Sequence, residues 1–233
     1  MNAGAPGFFG KVTSHGDFVT RRLPPELVEA WDGWLQQCIH TSKQQLGGEW
    51  LAHYLTSPIW RFAAAAGVLG EQGWAGVMMP SVDRVGRHFP LMVAAPARAG
   101  TPLLDWVGKG RLWFDDLEDL ARDSLGSDFV LEQFDQALAA RVGAAEEAPP
   151  GELPAAAASA AAAGWRMPMA ASDQVPDGVA QLLLQGHSLW WSEGSPSVAP
   201  SLLVCRGMPA PEAFAAMLDG GWQARGWDAP QGA

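Results

Sequence analysis

Two apolar runs, Trp74 to Met79 and Phe89 to Ala95, flank a short polar segment that carries Asp83, Arg84, Arg87 and His88. Each run has the length of a strand and is bounded by proline or glycine, so both read as buried strands. The charged group therefore lies where two buried strands meet or end. Charge in such a place must be paired and hydrogen-bonded, because an unpaired buried ion costs several kcal/mol. The group is either an ion-pair knot that pins loops to a sheet or a recognition site, and residue types alone leave both readings open.

The rest of the chain supplies partners for these strands. Phe8 to Val12 predicts a short opening strand, followed by a polar turn over residues 13–17 and a return to the core at Phe18 and Val19. Pro24-Pro25 starts a helix over about residues 25–45, since proline at the first helical position gives up only an unbonded N–H. Leu27, Trp31, Trp34, Leu35, Cys38 and Ile39 form its apolar stripe, and Gly47-Gly48 end it. A further helical turn or two over residues 49–55 stops at Ser57-Pro58. Ile59 to Ala66 predicts a strand whose glycine-rich exit makes a hairpin with Trp74 to Met79. Residues 103–125 and 129–142 have helical spacing, with Asp115, Asp116, Glu118, Asp119 and Asp123 placed on a solvated face. Residues 143–164, rich in alanine and proline, read as a linker. Beyond it, Ser188 to Ser192 and Ser201 to Cys205 form a late hairpin, Pro211 to Leu218 a closing helix, and the last residues a frayed tail.

These elements predict an α+β, mixed α/β fold: a layered single domain with a central, largely antiparallel sheet flanked by helices. Residues 1–142 form its N-terminal region, and residues 165–233 complete the same domain after the linker.

Charge restricts the partners. Residues 1–100 carry 8 Lys/Arg against 7 Asp/Glu, whereas residues 101–233 carry 7 against 18, for a net charge of −10. An acidic second half without a basic stripe argues against nucleic acid and anionic membranes; it reads either as ordinary surface solubility or as a surface that suits a partner with a basic patch. Twelve tryptophans against one tyrosine predict a large aromatic core. Cys38 and Cys205 have neither disulfide nor zinc spacing, and the N-terminus lacks the basic and apolar regions of a signal peptide. No apolar run approaches the ~20 residues that span a bilayer. A cytoplasmic protein is expected.

Catalytic patterns fail on chemistry. Gly186-His187-Ser188-Leu189-Trp190 has tryptophan where a nucleophile elbow needs glycine. Ser81, Asp83 and His88 are triad residue types, but their closeness in sequence fixes no geometry. Gly-Lys pairs at Gly10-Lys11 and Gly108-Lys109 lack the Walker spacing, and the five histidines are scattered without metal-ligand spacing. No catalytic residue, cofactor or metal is assigned. Two charged clusters remain: Lys11, His15, Asp17, Arg21 and Arg22, and then Asp83, Arg84, Arg87 and His88 with Arg61. Asp17 and Asp83 are expected to pair with arginines. Asp17, Arg22, Arg61, Asp83, Arg84 and Arg87 are the candidate residues for partner binding or for structural pairing.

Several of these residues fall in a recognisable pattern. Gly10-Lys11, Gly16-Asp17-Phe18-Val19, Arg22-Leu23-Pro24 and Trp31 with Trp34-Leu35 resemble the opening of the TagF family, also called ImpM or SciT, of bacterial type VI secretion. Pro58-x-Trp60-Arg61-Phe62 and the long block from Gly76 to Leu91 are similar to its centre. Ser188 to Trp191 and Cys205 to Pro209 are similar to its end. Val12-Thr13-Ser14-His15 departs from the leucine-proline turn more often found there. The resemblance implies a non-enzymatic, cytoplasmic accessory protein that represses type VI secretion after translation by binding a forkhead-associated scaffold protein. The alternative is a small enzyme or ligand-binding domain with a pocket near Asp83, Arg87 and His88.

Overall fold

The computed structural model describes residues 4–97, 103–141, 164–168 and 186–228. In chain order the strands and α-helices are β1 (Gly7–Gly10), β2 (Val19–Arg21), α1 (Pro25–Leu46), α2 (Trp50–Thr56), β3 (Trp60–Ala64), β4 (Trp74–Met79), β5 (Leu91–Pro96), α3 (Leu103–Lys109), α4 (Arg111–Asp123), α5 (Leu131–Ala139), β6 (Gly164–Pro168), β7 (His187–Ser192), β8 (Ser201–Arg206), α6 (Ala216–Asp219) and β9 (Trp227–Asp228). The strands form one sheet in the order β2-β1-β5-β4-β3-β7-β8-β6-β9. Every neighbouring pair is antiparallel except β6 and β9, which run parallel. This is the α+β layered arrangement that the sequence predicts.

The unbroken apolar character of the central strands has a direct cause: helices cover both faces of the sheet. Side chains alternate across a strand. On one face Phe9, Trp60, Phe62, Trp74, Met78, Met92, Trp190 and Leu203 pack beneath α1, α2 and α6. On the other, Phe8, Ala63, Val77, Met79, Leu91, Val93, Trp191 and Leu202 pack beneath α3, α4 and α5. The tryptophans serve this double core. Trp31 of α1 lies 4.9 Å from Phe62 and 5.9 Å from Trp190, ring centre to ring centre. The hairpin β7–β8 joins the earlier strands through β3, where Phe62 sits opposite Trp190.

Four local expectations need correction. Phe18 is 42% exposed, because β2 turns it toward the rim of the sheet, where it stacks on Phe9 and abuts Phe89 edge-on. Gly164, read as the end of a linker, begins β6. Residues 211–215 form turns, leaving α6 as one short helix, although Phe214, Met217 and Leu218 do point inward. The tail does not fray at once: Trp222 and Trp227 are buried and β9 adds to the sheet. The remainder of the linker and Leu182 to Leu184 lie outside the described residues. Cys38 and Cys205 are free and buried, and burial pushes both thiols up. Among the described residues no helix is long and apolar enough to cross a membrane.

Candidate functional site

The polar segment after β4 is locked before it reaches solvent. Tyr54 of α2 donates its hydroxyl to the Ser81 carbonyl at 2.8 Å and accepts the Ser81 N–H at 2.9 Å. Ser81 in turn donates its hydroxyl to the Lys11 carbonyl at 2.7 Å. A single antiparallel bridge between Val82 and His88 then closes a five-residue loop, Asp83 to Arg87. Within it, the Asp83 N–H donates to the Arg87 carbonyl and the Gly86 N–H to the Asp83 carbonyl, both at 3.0 Å. Gly86 sits at φ 83°, a backbone angle that disfavours a side chain.

Asp83 is the centre of this loop. Its Oδ1 accepts the N–H groups of Val85 and Arg87 at 3.0 and 2.9 Å. Its Oδ2 accepts Lys11 Nζ at 2.5 Å and Arg87 Nε at 2.6 Å. Lys11 is itself buried, with its ammonium 4.8 Å from the centre of the Phe18 ring. Arg87 also donates to the Gly16 carbonyl, and the Arg84 N–H donates to the His15 carbonyl at 2.9 Å. Loop 83–87 is thereby stitched to the loop after β1. Burial alone would raise the Asp83 carboxyl, but the donors from Lys11, Arg87 and Val85 outweigh it and hold it well below the usual carboxylate range.

A depressed carboxylate stabilises the fold at pH above its unfolded value of about 3.9, and that contribution is lost as pH falls toward the folded value. Asp83→Asn is therefore expected to be less stable at neutral pH and to lose less on acidification below about pH 4. Urea unfolding followed by tryptophan fluorescence across that range is the measurement. Identical acid limbs for the two proteins would show that Asp83 is not held this way.

The six candidate residues do not form one site. Asp83, Arg84 and Arg87 share the loop. Arg61 lies on the α4 side of the sheet, bonded to Glu118 at 2.5 Å and Asp115 at 2.7 Å. Arg22, with φ 56°, ties the end of β2 to Asp135 of α5 and to the Pro6 carbonyl. Asp17 accepts the Phe18 N–H and makes no ion pair among the described residues, so its expected arginine is not there. Asp83 does pair with an arginine, but shares that role with Lys11. One signal pointed to Lys11: a lone cation between Gly10 and Val12 in an otherwise apolar strand needs a buried partner.

The same geometry weighs on the pocket expected at Asp83, Arg87 and His88. Asp83 is enclosed by four donors from the protein itself. His88 is half-buried against the edges of Trp50 and Tyr54, at 6.0 and 5.6 Å, and burial with the charge of Lys43 lowers its pKa despite the opposing pull of Asp83. What remains open is the loop's outer surface. Val85 is 67% exposed and the Arg87 side chain 59%. Arg84 is exposed and carries no side-chain hydrogen bond or ion pair among the described residues.

The fold has known counterparts. Residues 7–141 match the profile of the TagF N-terminal domain, described as type VI secretion system-associated. The crystal structure of PA0076 from Pseudomonas aeruginosa PAO1 superposes with a TM-score of 0.73 at 38% identity, over 93% of this chain and 94% of that one. No curated protein matches the chain.

Proposed function

Because this chain belongs to the TagF family of type VI secretion-associated proteins, we propose that it is a non-enzymatic, cytoplasmic, post-translational repressor of type VI secretion that docks on a forkhead-associated scaffold protein of that system. The observation that carries this reading is the division of labour in loop 83–87. Lys11, Asp83 and Arg87 fix the loop, and Arg84 with Val85 is presented to solvent on that fixed base. A loop backbone that is already fixed loses little freedom on docking, and the forked guanidinium that it presents beside an apolar side chain suits carboxylates of a partner. Asp83 is taken up by structural donors, which supports docking over acid–base chemistry at this loop.

The two arginines should then separate in experiment. Arg84→Ala is expected to leave the melting temperature unchanged while weakening binding to the purified forkhead-associated protein by about tenfold, the loss of one interfacial arginine. Arg87→Ala should lower both stability and affinity, because it releases the loop. Calorimetric titration with parallel thermal melts provides both readouts. Full affinity in Arg84→Ala and Arg84→Glu would remove the loop from the interface, and no binding of the unsubstituted protein at about 50 µM would remove the partner.

A further inference from the structure

We propose a second docking surface, independent of loop 83–87: the groove between α4 and α5 takes a basic, amphipathic segment of a partner protein. The groove encloses about 490 Å³. Leu120, Phe129, Phe134 and Ala137 supply its apolar lining, and Asp123 and Asp128 stand at its wall. Phe134 rests on Phe8 of the sheet, ring centres 5.1 Å apart, so the base is part of the core and does not depend on the occupant. Val130, 42% exposed, and Leu125 extend the apolar surface at the turn that joins the helices.

Charge selects the occupant. The one cation in the lining, Arg122, is already bonded to Glu118 at 2.5 Å and Asp119 at 2.7 Å. Arg141 lies by Asp116, Arg111 by Asp115, and Asp135 is held by Arg22. Asp123 and Asp128 have no cation of the protein's own among the described residues. A groove with an apolar lining and two carboxylates free of cations complements a segment that carries lysine or arginine beside leucine-like side chains. The neighbouring stretch of this chain is a poor occupant by the same test. Residues 142–163 hold Glu146, Glu147 and Glu152 and not one lysine or arginine.

The test uses the full chain and a fluorescent peptide of about fourteen residues, built from lysine and leucine with helical amphipathic spacing. Two peptides serve as comparisons: one with glutamate for lysine, and one with the same composition in scrambled order. The patterned basic peptide is expected to bind, and Asp123→Asn with Asp128→Asn to weaken it about tenfold. The control is Glu26→Gln with Glu29→Gln, two exposed residues of α1 on the other side of the sheet, which changes the net charge equally. It should stay within about twofold of the unsubstituted protein. Hydrogen exchange with the peptide bound should protect residues 120–137. Equal weakening by both double substitutions, equal binding of the scrambled or acidic peptide, or protection elsewhere overturns the proposal. None of these results bears on the scaffold protein or on Arg84.

Discussion

Arg61→Ala is expected to cost about 3–5 kcal/mol, the penalty for breaking a buried ion pair, and to lower the melting temperature by roughly 10 °C. Arg61 is the second residue of β3, on the face that α4 covers, and its side chain and that of Glu118 are each 6% exposed. The guanidinium reaches Glu118 and Asp115 and lies 5.9 Å from the centre of the Phe114 ring. Burial tends to lower the Arg61 pKa, but Glu118 and Asp115 outweigh it, so the charge stays. Without Arg61, Glu118 keeps one cation, Arg122, whose side chain is 51% exposed. The lost energy is therefore mainly that of a carboxylate left in a poorly solvated place.

Two further substitutions separate charge from packing. Arg61→Met retains an apolar stem of similar length, so it restores packing but not the pair. It should remain well below the unsubstituted protein. Combining it with Glu118→Leu removes the stranded carboxylate and should regain most of the loss, as replacement of whole buried pairs commonly does. Chemical denaturation gives all three values. A loss of under about 1 kcal/mol in Arg61→Ala would show that the pair holds nothing beyond what surface pairs hold.

That clamp also marks the limit of what the sequence discloses. Parity along β3 places Trp60 and Phe62 on one face and Arg61 on the other, and this much is readable. What covers the second face is not, because Glu118 lies 57 positions away. A local signal did exist: Phe114, Leu117, Glu118 and Ala121 fall on one helical stripe, so Glu118 belongs with the buried residues and not with the solvated acids around it. Strands β4 and β5, helix α1 and the late hairpin were legible because burial on a face imposes composition and period. Loop 83–87 was legible as a place where charges gather. Its wiring was not, since Asp83 meets Lys11 across 72 positions and Ser81 meets Tyr54 of α2 across 27. Short edge strands such as β2 and β9 carry too few residues to show a period at all.

The same shortness hid the C-terminal tryptophans, and Trp227→Ala is the substitution that tests their role. It is expected to cost about 3–5 kcal/mol, in the range of large aromatic truncations in cores. Trp227 is buried, donates its indole N–H to the Ala213 carbonyl at 2.8 Å and meets Trp222 edge-on at 5.9 Å. Trp222 in turn meets Trp60 of β3 at 6.2 Å, and Trp60 donates to the Met217 carbonyl. The chain end thus closes one side of the α1 face through a relay of indoles, while the β9 backbone pairs with β6 at the sheet edge. Trp227→Phe keeps most of the apolar area but removes the indole donor and leaves the Ala213 carbonyl only the Ala216 N–H at 3.3 Å, so a smaller loss of about 1 kcal/mol is expected. Hydrogen exchange should show faster opening of residues 213–228 in the alanine variant, ahead of β3 and β4. If Trp227→Ala unfolds within about 1 kcal/mol of the unsubstituted protein, the tail lies on the core without holding it. If it falls by the full amount, a segment with no periodicity of its own is fastened chiefly by indoles that reach β3 and the turns before α6, with Arg225 bonded to Asp219 and Gln45 beside them.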